Sequence, residues 1–244
     1  MQNLKQAGVY SVCYLTIGED DQLNIGDGKG PGGYASYYID DGSGKPAVNA
    51  NWNSYYVDAG NLTWQDLLIN TRAKKLVDLG CDGIFMDTID TIETYPSTKT
   101  GMLSLIHNLH VKYPNIKLVA NRGFNIVADM ANDISGLMFE NFQSDYNFDT
   151  QSYYEYSSAD KAYAIQVMQD KINSVRRTTY FPVFGLDYSL ATSTSKIQKF
   201  YNSMWEYDMI PDVEDIMLSK LYPTYTPTTI RGSKANLPNA PWKY

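Results

Sequence analysis

GIFMDTID, residues 83–90, is the stretch that decides the fold of this chain. It is a short apolar run, rich in residues that favour β-strands, and its strand-like part closes on an acid, Asp87. Runs of this kind recur with helix-like segments between them, and such βα alternation indicates an α/β fold built on a parallel sheet. The other runs are SVCYLTIGE (11–19), SYYVDAG (54–60), IKLVANRG (116–123), GLMFENF (136–142), FPVFGLDY (181–188) and DMIPDVEDIML (208–218).

The segments between the runs carry apolar residues at helical spacing. The clearest starts near Thr63, where Asp66 makes a capping-box-like start, and it ends at Gly80. The seven runs predict one domain over residues 1–244, a (β/α)8 TIM barrel, because such barrels take roughly 250 residues. Seven runs are one fewer than the eight strands of such a barrel. Either the first strand of the barrel is lacking, or one of the runs hides two strands.

Two segments stand outside the alternation. Residues 21–50 are rich in glycine and follow the first run directly, which predicts a long βα loop. In a barrel such loops lie at the carboxyl ends of the strands, where active sites are built, so we expect this loop to bind substrate. Residues 223–244 have no periodicity, and we expect an irregular tail that wraps the outside of the barrel or extends the cleft.

Charge and composition exclude several classes of function. Asp and Glu number 27 against 20 Lys and Arg, a net charge of −7, so the chain repels polyanions and we expect no nucleic-acid partner. No segment approaches the roughly 20 uninterrupted apolar residues of a membrane span. The amino-terminal segment carries no export signal, which leaves the compartment undecided. Cys13 and Cys81 show no metal-binding spacing, so we expect two free, buried thiols; a disulfide between them is the alternative, although the sequence carries no signal of one.

Tyrosine is unusually abundant, with 21 tyrosines against 8 phenylalanines. Tyrosine rings suit stacking on the faces of sugars, and they serve equally in ordinary amphipathic packing. Both interpretations stay open. Those expected in loops include Tyr34, Tyr37, Tyr38, Tyr153, Tyr154 and Tyr156.

Acidic and polar residues end several of the runs, and strand geometry predicts where they point. Side chains alternate between the two faces of a strand, so the residue two before a terminal polar residue shares its face. If the terminal residues point into the barrel mouth, no charge falls deep in the barrel. The same-face pairs are Asp87 with Phe85, Glu140 with Met138, Asn121 with Val119 and Asp187 with Gly185.

The carboxylates then collect at one end of the barrel and suit two chemistries. Glycoside hydrolysis needs one carboxyl group to protonate the leaving oxygen and a second to act as nucleophile or base. A divalent cation, Mg²⁺ or Ca²⁺, held by Asp58, Asp87 and Glu140 is the alternative. A histidine-ligated metal is not expected, because His107 and His110 lie in the middle of a helix.

An aspartate at a strand end often serves only to cap the following helix or turn. For Asp20 and Asp90 we favour that structural role. For Asp87 and Glu140 we favour catalysis, because each closes an apolar run whose parity directs it inward.

Six segments carry a resemblance to a known family: YLTIGE, YYVDAG, GCDGIFMDTID, LVANRG, FEN and GLDY, in that order within residues 8–218. They are similar to glycoside hydrolase family 114, which includes endo-α-1,4-polygalactosaminidases and the hydrolase domain of Pel exopolysaccharide systems. The resemblance implies a (β/α)8 barrel whose catalytic acids fall on Asp87 and Glu140. It also implies residues that bind or orient the sugar, namely Tyr14, Glu19, Asp58, Asn121, Arg122, Asp187 and Tyr188.

The resemblance implies a glycosidase that cleaves α-linked, galactosaminoglycan-like polysaccharide with retention of configuration, outside the cell or in its envelope. We expect Asp87 to be the nucleophile and Glu140 the general acid/base, with no cofactor and no metal. Retention predicts carboxyl groups about 5–5.5 Å apart, and inversion about 6.5–9.5 Å. Two alternatives remain: a barrel that binds carbohydrate but has lost catalysis, motivated by the lacking first strand, and the cation-dependent enzyme.

Overall fold

Two compact units make up the chain, Met1–Ser135 and Gly136–Tyr244. The computed structural model describes residues 2–235 and 237. Each unit contains three parallel strands with helices between them, so the predicted α/β class is confirmed. The prediction of one domain over residues 1–244 stays a prediction.

Six strands lie in the described part of the first unit. They are β1 (Val12–Thr16), β2 (Glu19–Asp20), β3 (Val48–Asn49), β4 (Ser54–Tyr56), β5 (Gly83–Asp87) and β6 (Lys117–Asn121). β5 pairs in parallel with β1 on one side and with β6 on the other. These three strands come from the runs that begin at residues 11, 83 and 116, as predicted.

The expectation that SYYVDAG forms a strand of the parallel sheet is wrong. Its first residues are β4, which pairs antiparallel with β2 and β3 in a separate three-stranded sheet. Short strands of both kinds of sheet can share an apolar, β-rich composition, so the pattern alone could not separate them. The run SVCYLTIGE does hide two strands, β1 and β2, but they belong to different sheets.

The glycine-rich segment 21–50 is irregular over most of its length, but it contains β3 and leads from β2 to β4 of the antiparallel sheet rather than from a strand to a helix. A buried carboxylate anchors its start. Asp20 accepts a hydrogen bond from Gln22 N at 3.3 Å, which is the turn-capping role expected of it. The same carboxylate also accepts from Tyr38 Oη at 2.9 Å and pairs with Arg72 Nη2 at 2.8 Å. Because Asp20 is fully buried, these contacts fix the start of the loop to the body of the unit.

The helices in the described part of the first unit are α1 (Gln2–Gln6), α2 (Leu62–Asp66), α3 (Lys74–Asp78), α4 (Thr91–Thr94), α5 (Lys99–Lys112) and α6 (Val127–Met130), with a π-helical segment, Leu67–Ala73, joining α2 to α3. Most of these helices lie between the parallel strands of the unit, whereas α1 precedes β1 and α6 follows β6. The helix predicted from Thr63 begins one residue earlier. Its N-cap is Asn61, whose side-chain oxygen accepts from Thr63 N at 2.9 Å.

Cys13 and Cys81 form a disulfide bond, so the expectation of two free thiols is wrong. β1 and β5 are adjacent, and the register places Cys13 opposite Ile84, shortly after Cys81. The two Cα atoms therefore lie 6.0 Å apart although the residues are separated by 68 positions. The strand pairing brings the cysteines together, and their spacing in the sequence does not reveal it.

Loss of this disulfide is expected to destabilise the protein. A crosslink that closes so long a loop restricts the unfolded chain, which in the loop-entropy description stabilises the folded state by about 4 kcal/mol. We expect the double variant Cys13→Ser, Cys81→Ser to melt on the order of 10 °C lower than the wild type. Calorimetry with and without reductant measures this. Reductant should lower the Tm of the wild type alone; a wild type that ignores reductant and melts with the double variant would contradict the prediction.

Five strands lie in the described part of the second unit. They are β7 (Gly136–Glu140), β8 (Ser144–Asn147), β9 (Ser152–Glu155), β10 (Val183–Tyr188) and β11 (Met209–Glu214). β10 pairs in parallel with β7 and with β11, as predicted for the last three runs. β8 and β9 form an antiparallel hairpin that the runs did not predict.

Three helices accompany these strands. They are α7 (Ser158–Gln166), α8 (Asn173–Arg176) and α9 (Thr194–Glu206), with a π-helical segment, Val167–Ile172, between α7 and α8. Among the helices of the described residues, none combines the length and apolar character that crossing a membrane requires.

The segment predicted as an irregular tail, residues 223–244, has neither helix nor strand in its described part. It lies against α9 and the turn that follows. Thr228 N donates to Asn202 Oδ1 at 2.9 Å, and Arg231 Nε donates to the buried Asp208 Oδ1 at 2.7 Å. Residue 236 and residues 238–244 lie outside the described part, so the rest of this expectation stays a prediction.

Candidate active site

The carboxylate of Asp87 lies at the end of β5 and receives hydrogen bonds from both neighbouring strands. Tyr14 Oη donates to Oδ2 at 2.6 Å, and Asn121 Nδ2 donates to Oδ1 at 2.8 Å. Tyr14 is 60% exposed, whereas Asn121 is buried. Each oxygen of the carboxyl group therefore has its own donor, an arrangement that fixes the orientation of the group.

The parity predicted for β5 is confirmed. The register places Tyr14 of β1 opposite Phe85, and their rings stack with centroids 6.3 Å apart. Asp87 lies on the same face, where it meets the hydroxyl of Tyr14. Ile84 and Met86 point to the other face and are fully buried. The polar group thus sits at the end of a strand whose opposite face is held by the core.

The residue directly after each of three strands has a left-handed backbone. Thr88, Arg122 and Asn141 follow β5, β6 and β7, with φ angles of 63°, 60° and 60°. Non-glycine residues rarely adopt this conformation, and β-branched residues such as threonine least of all. Each such residue costs on the order of 1–3 kcal/mol, and they concentrate at functional sites. The strain supports a functional role for these strand ends.

Hydrogen bonds of the Thr88 hydroxyl help to hold its unusual backbone. Oγ1 accepts from Gly18 N at 2.7 Å, and it shares a hydrogen bond with Thr16 Oγ1 at 2.9 Å. The hydroxyl also donates to the carbonyl oxygen of Asp87 at 2.6 Å. The end of β5 is thereby tied to the chain that leaves β1. Sequence reasoning missed Thr88, because a threonine after a strand gives no sign of a left-handed φ.

Removing this hydroxyl is expected to cost stability and activity together. In Thr88→Val the shape is kept, but the buried Gly18 N loses its acceptor, which costs about 1–3 kcal/mol of unfolding free energy. Because Asp87 is the predicted nucleophile, its displacement should also lower kcat by about tenfold. Urea denaturation and initial rates measure both effects. Thr88→Ser keeps the hydroxyl and should behave like the wild type; equal losses in the two variants would contradict the role given to the hydrogen bonds.

Arg122 is held by Asp90 in the same unit. The Arg122 Nε and Asp90 Oδ2 atoms are 3.0 Å apart, and the guanidinium lies over the Phe124 ring at 5.9 Å. Asp90 precedes α4, yet its side chain makes no capping hydrogen bond to that helix. The capping role expected of Asp90 is therefore wrong, and its carboxylate orients Arg122 instead.

Glu19 and Asp58 differ in burial and in the hydrogen bonds that they accept. Glu19 is buried and accepts hydrogen bonds from Asn49 Nδ2 at 3.1 Å and from the hydroxyl of Ser54. Asp58 is exposed, and its Oδ1 accepts from Gly60 N at 2.9 Å. Glu19 thus braces the antiparallel sheet, whereas Asp58 presents its carboxylate to solvent. Contact of either residue with sugar stays a prediction.

Glu140 ends β7 in the second unit, and Tyr188 orients its carboxyl group. The Tyr188 hydroxyl donates a hydrogen bond to Glu140 Oε1. In the register of the two strands Leu186 lies opposite Glu140, so Tyr188, two residues further on, shares the face of Glu140. Tyr188 is itself buried, and this restricts the orientations open to the glutamate.

Asp187 shares a face with Gly185, as predicted, but the expectation that this face points into the barrel mouth is wrong. A Cβ added at Gly185 would meet the Met204 Sδ of α9 at 2.5 Å, so the face that Gly185 shares with Asp187 lies towards that helix. Asp187 is fully buried there and accepts from Gln143 N at 2.8 Å and Ser144 N at 3.1 Å. These bonds hold the segment that follows Glu140, so Asp187 positions the end of β7 without facing the site itself. Two adjacent polar residues end the run, and parity could not decide which points inward.

Burial raises the pKa of Asp187 from 3.8 to about 6. Because this lies above the unfolded value, the native state keeps a proton between about pH 4 and pH 6 that the unfolded chain releases. The contribution of Asp187 to the free energy of unfolding therefore falls as pH rises through that window, by up to about 3 kcal/mol. Asp187→Asn removes this titration and should flatten the pH dependence.

Urea denaturation of the wild type and Asp187→Asn at several pH values across this window measures the difference. The exposed Asp149 provides a control, since Asp149→Asn should keep the slope of the wild type. Parallel pH profiles for the wild type and Asp187→Asn would contradict the prediction.

Within the described part of the chain, no group of three or more His, Cys, Asp or Glu side chains is placed to hold a metal ion. His107 is exposed on α5, and its Nδ1 lies 3.1 Å from Asp133 Oδ1, away from the strand ends.

The chain is similar to a family of glycoside hydrolases in sequence and to several solved structures in fold. The sequence profile of glycoside-hydrolase family GH114 matches residues 1–228. The glycoside hydrolase domain of PelA from Pseudomonas aeruginosa is 21% identical, with 90% of this chain and 83% of that chain covered and a TM-score of 0.72. A variant of the same domain gives 22%, the same coverage and 0.73. Ega3 from Aspergillus fumigatus, solved in complex with galactosamine, is 14% identical, with 89% and 79% covered and a TM-score of 0.58.

No curated protein sequence matches the chain. At these identities the likeness to solved structures shows the fold, that of TIM-barrel glycoside hydrolases, as the strand and helix pattern predicted. The profile decides the family, because it spans nearly the whole chain. The chain belongs to glycoside hydrolase family GH114 and is a glycosidase.

Proposed function

We propose that the enzyme hydrolyses α-linked, amino-sugar polysaccharide of the galactosaminoglycan type, with Asp87 and Glu140 as its catalytic carboxylates. The observation that carries this proposal is the Asp87 carboxylate, which receives one hydrogen bond from Tyr14 and one from Asn121 at adjoining strand ends. Ega3, which has the same fold, was solved with galactosamine and supports the class of sugar.

Asp87 takes the role of nucleophile. Two donors hold its carboxylate in one orientation, so one oxygen can attack the anomeric carbon without losing its alignment. The bond from the anomeric carbon to the leaving oxygen breaks, and a covalent glycosyl-enzyme forms. Tyr14, which is largely exposed, can follow the sugar while it binds.

Glu140 takes the role of general acid and then of general base. Its proton passes to the leaving oxygen in the first step; in the second step it accepts a proton from the water that attacks the glycosyl-enzyme. The hydrogen bond from Tyr188 orients the carboxyl group in both steps. Two displacements at one carbon retain the configuration.

The remaining predicted residues divide by exposure. Asp58 is exposed and suits direct contact with an ammonium group of the sugar, and Arg122, oriented by Asp90, suits a hydroxyl or acetyl oxygen. Glu19 and Asp187 are buried and act by holding the segments around them. The net charge of −7 favours a polymer that bears amines over an anionic one.

The disulfide between Cys13 and Cys81 supports the proposed place of action outside the reducing cytoplasm. Disulfides persist in secreted and cell-envelope proteins, which is also where a polymer of this kind would be met. Labelling of free thiols in enzyme taken directly from its native compartment should find neither cysteine reactive.

Turnover of a panel of polymers tests the proposed function. We expect rapid chain shortening of partly deacetylated α-1,4-galactosamine polymer and little action on its fully acetylated form, on chitosan or on a neutral α-glucan. Proton NMR of the first product should show the α-anomer. Turnover of the neutral glucan alone would contradict the substrate, and a β-anomer formed first would contradict retention. Binding of the polymer without turnover would favour the alternative of a barrel that has lost catalysis.

A further inference from the structure

The hairpin formed by β8 and β9 begins just after Glu140 and has two different faces. The register pairs Tyr146 with Tyr153 and Asp145 with Tyr154. Residues opposite each other in an antiparallel pair share a face. One face therefore carries Tyr146 and Tyr153, and we call it the Tyr153 face. The other carries Asp145 and Tyr154, and we call it the Tyr154 face.

The Tyr153 face packs against its own unit. The rings of Tyr146 and Tyr153 have centroids 5.0 Å apart, and Tyr146 meets Phe148 edge-on at 5.2 Å. The hydroxyl of Tyr153 accepts a hydrogen bond from Ile216 N at 3.2 Å. These contacts hold the hairpin over the end of β11, and they are the ordinary packing role of tyrosine.

Lysines gather at the end of the Tyr153 face. Glu155 Oε2 lies 2.9 Å from Lys199 Nζ and 3.0 Å from Lys161 Nζ, and its Oε1 lies 3.7 Å from Lys196 Nζ. Hydrogen bonds from Lys199 and Lys161 lower the pKa of Glu155 to about 2. Three ammonium groups around one carboxylate leave this side with a net positive charge, so it disfavours a cationic polymer.

The Tyr154 face has a different character. Tyr154 is 44% exposed, and its ring lies 6.1 Å from that of Tyr156. The hydroxyl of Tyr154 lies 3.5 Å from Asp145 Oδ2. Aromatic rings suit the apolar faces of sugars and attract cations, and a carboxylate pairs with an ammonium group. This face combines both features that an amino sugar needs.

The hairpin is fixed relative to Glu140 by bonds within one unit. The buried Asp187 accepts from the backbone of Gln143 and Ser144 at the base of the hairpin. Ser144 Oγ also accepts from Tyr188 N at 3.0 Å, and Tyr188 in turn holds Glu140. Asp145 follows Glu140 by five residues, so the two lie at most about 18 Å apart. A short oligosaccharide spans such a distance.

We propose that the Tyr154 face is a saccharide-binding subsite, which takes the amino-sugar chain that extends from the bond cleaved at Glu140. Tyr154 and Tyr156 stack on the sugar rings, and Asp145 pairs with an ammonium group. The inference rests on the proposed function, because it takes the polymer to be cationic. It adds a site away from the catalytic carboxylates that favours long chains over short ones.

Kinetics on long and short substrates test this subsite. In Tyr154→Ala we expect KM for the partly deacetylated polymer to rise about 3- to 10-fold with kcat unchanged, as the loss of one exposed cation–π and stacking contact implies. KM for an oligomer too short to reach the hairpin should not change. Tyr154→Phe keeps the ring and should retain the KM of the wild type. Asp145→Asn should raise KM for the partly deacetylated polymer, and the rise should become smaller as the acetylated fraction of the polymer increases.

Tyr163 provides the matched control, because it is a tyrosine of α7 with 64% exposure in the same unit. Tyr163→Ala should leave every KM unchanged. If the wild type cleaves the amino-sugar polymer and Tyr154→Ala equals Tyr163→Ala on long chains, the subsite is wrong and the proposed function stands. If the wild type cleaves none of the amino-sugar polymers, the proposed function and the subsite are both wrong.

Discussion

Asp87→Asn is expected to lower kcat/KM by at least about 1,000-fold while the protein stays folded. The substitution keeps the size of the side chain, and the amide oxygen can still accept one of the two hydrogen bonds from Tyr14 and Asn121. An amide cannot form the glycosyl ester, so the first displacement is lost. Initial rates on the amino-sugar polymer and a thermal melt of the same sample measure both properties.

The exposed Asp66 of α2 gives a matched control, since Asp66→Asn makes the same chemical change on the same unit away from the strand ends. It should keep the activity of the wild type. In Asp87→Ala, azide can enter the space of the missing carboxylate and should restore turnover with a β-glycosyl azide as product. Wild-type rates in Asp87→Asn would remove Asp87 from the mechanism.

Glu140→Gln is expected to lower kcat/KM on the natural polymer by about 100- to 10,000-fold, the usual contribution of a general acid or base. The loss should depend on the leaving group. A substrate with an activated phenolic leaving group needs no proton in the first step, so glycosylation should proceed and only hydrolysis of the intermediate should be slow. A pre-steady-state burst of phenol followed by a slow phase measures this.

Azide should accelerate the slow phase in Glu140→Gln, because it needs no general base, and the product should be the α-glycosyl azide. Glu93 is exposed on α4, and Glu93→Gln serves as control with unchanged rates. Equal losses on the natural and the activated substrate, with no burst, would contradict the acid/base role of Glu140.

Sequence reasoning could predict most of the parallel strands, because GIFMDTID and its counterparts combine an apolar core with a polar end. It placed Asp87 at the end of its strand and Phe85 on the same face, since alternation within one strand is a local property. It could not predict that β4 pairs antiparallel, because short apolar strands of parallel and antiparallel sheets have similar sequences. The disulfide between Cys13 and Cys81 was not predicted either, because it depends on the pairing of β1 with β5.

Residues of the candidate site were harder to predict where their role depends on the conformation of the backbone. Thr88, Gln143 and Ser144 carry no motif, and their roles come from a left-handed φ and from backbone donors to a buried carboxylate. Asp187 and Tyr188 are adjacent and both polar. Because Gly185 packs against α9, Asp187 faces that helix and Tyr188 shares a face with Glu140. The face on which such a residue lies depends on the neighbouring elements, and the sequence of a single strand does not determine it.

Trapping of the glycosyl-enzyme tests the central claim most directly. A galactosamine donor with an activated leaving group, incubated with Glu140→Gln, should add the mass of one sugar to the protein. Peptide mapping by mass spectrometry should place that sugar on the peptide that contains GIFMDTID, at Asp87, and Asp87→Asn should gain no mass. A sugar found on any other residue, or hydrolysis that proceeds with inversion and without a covalent adduct, would contradict the account.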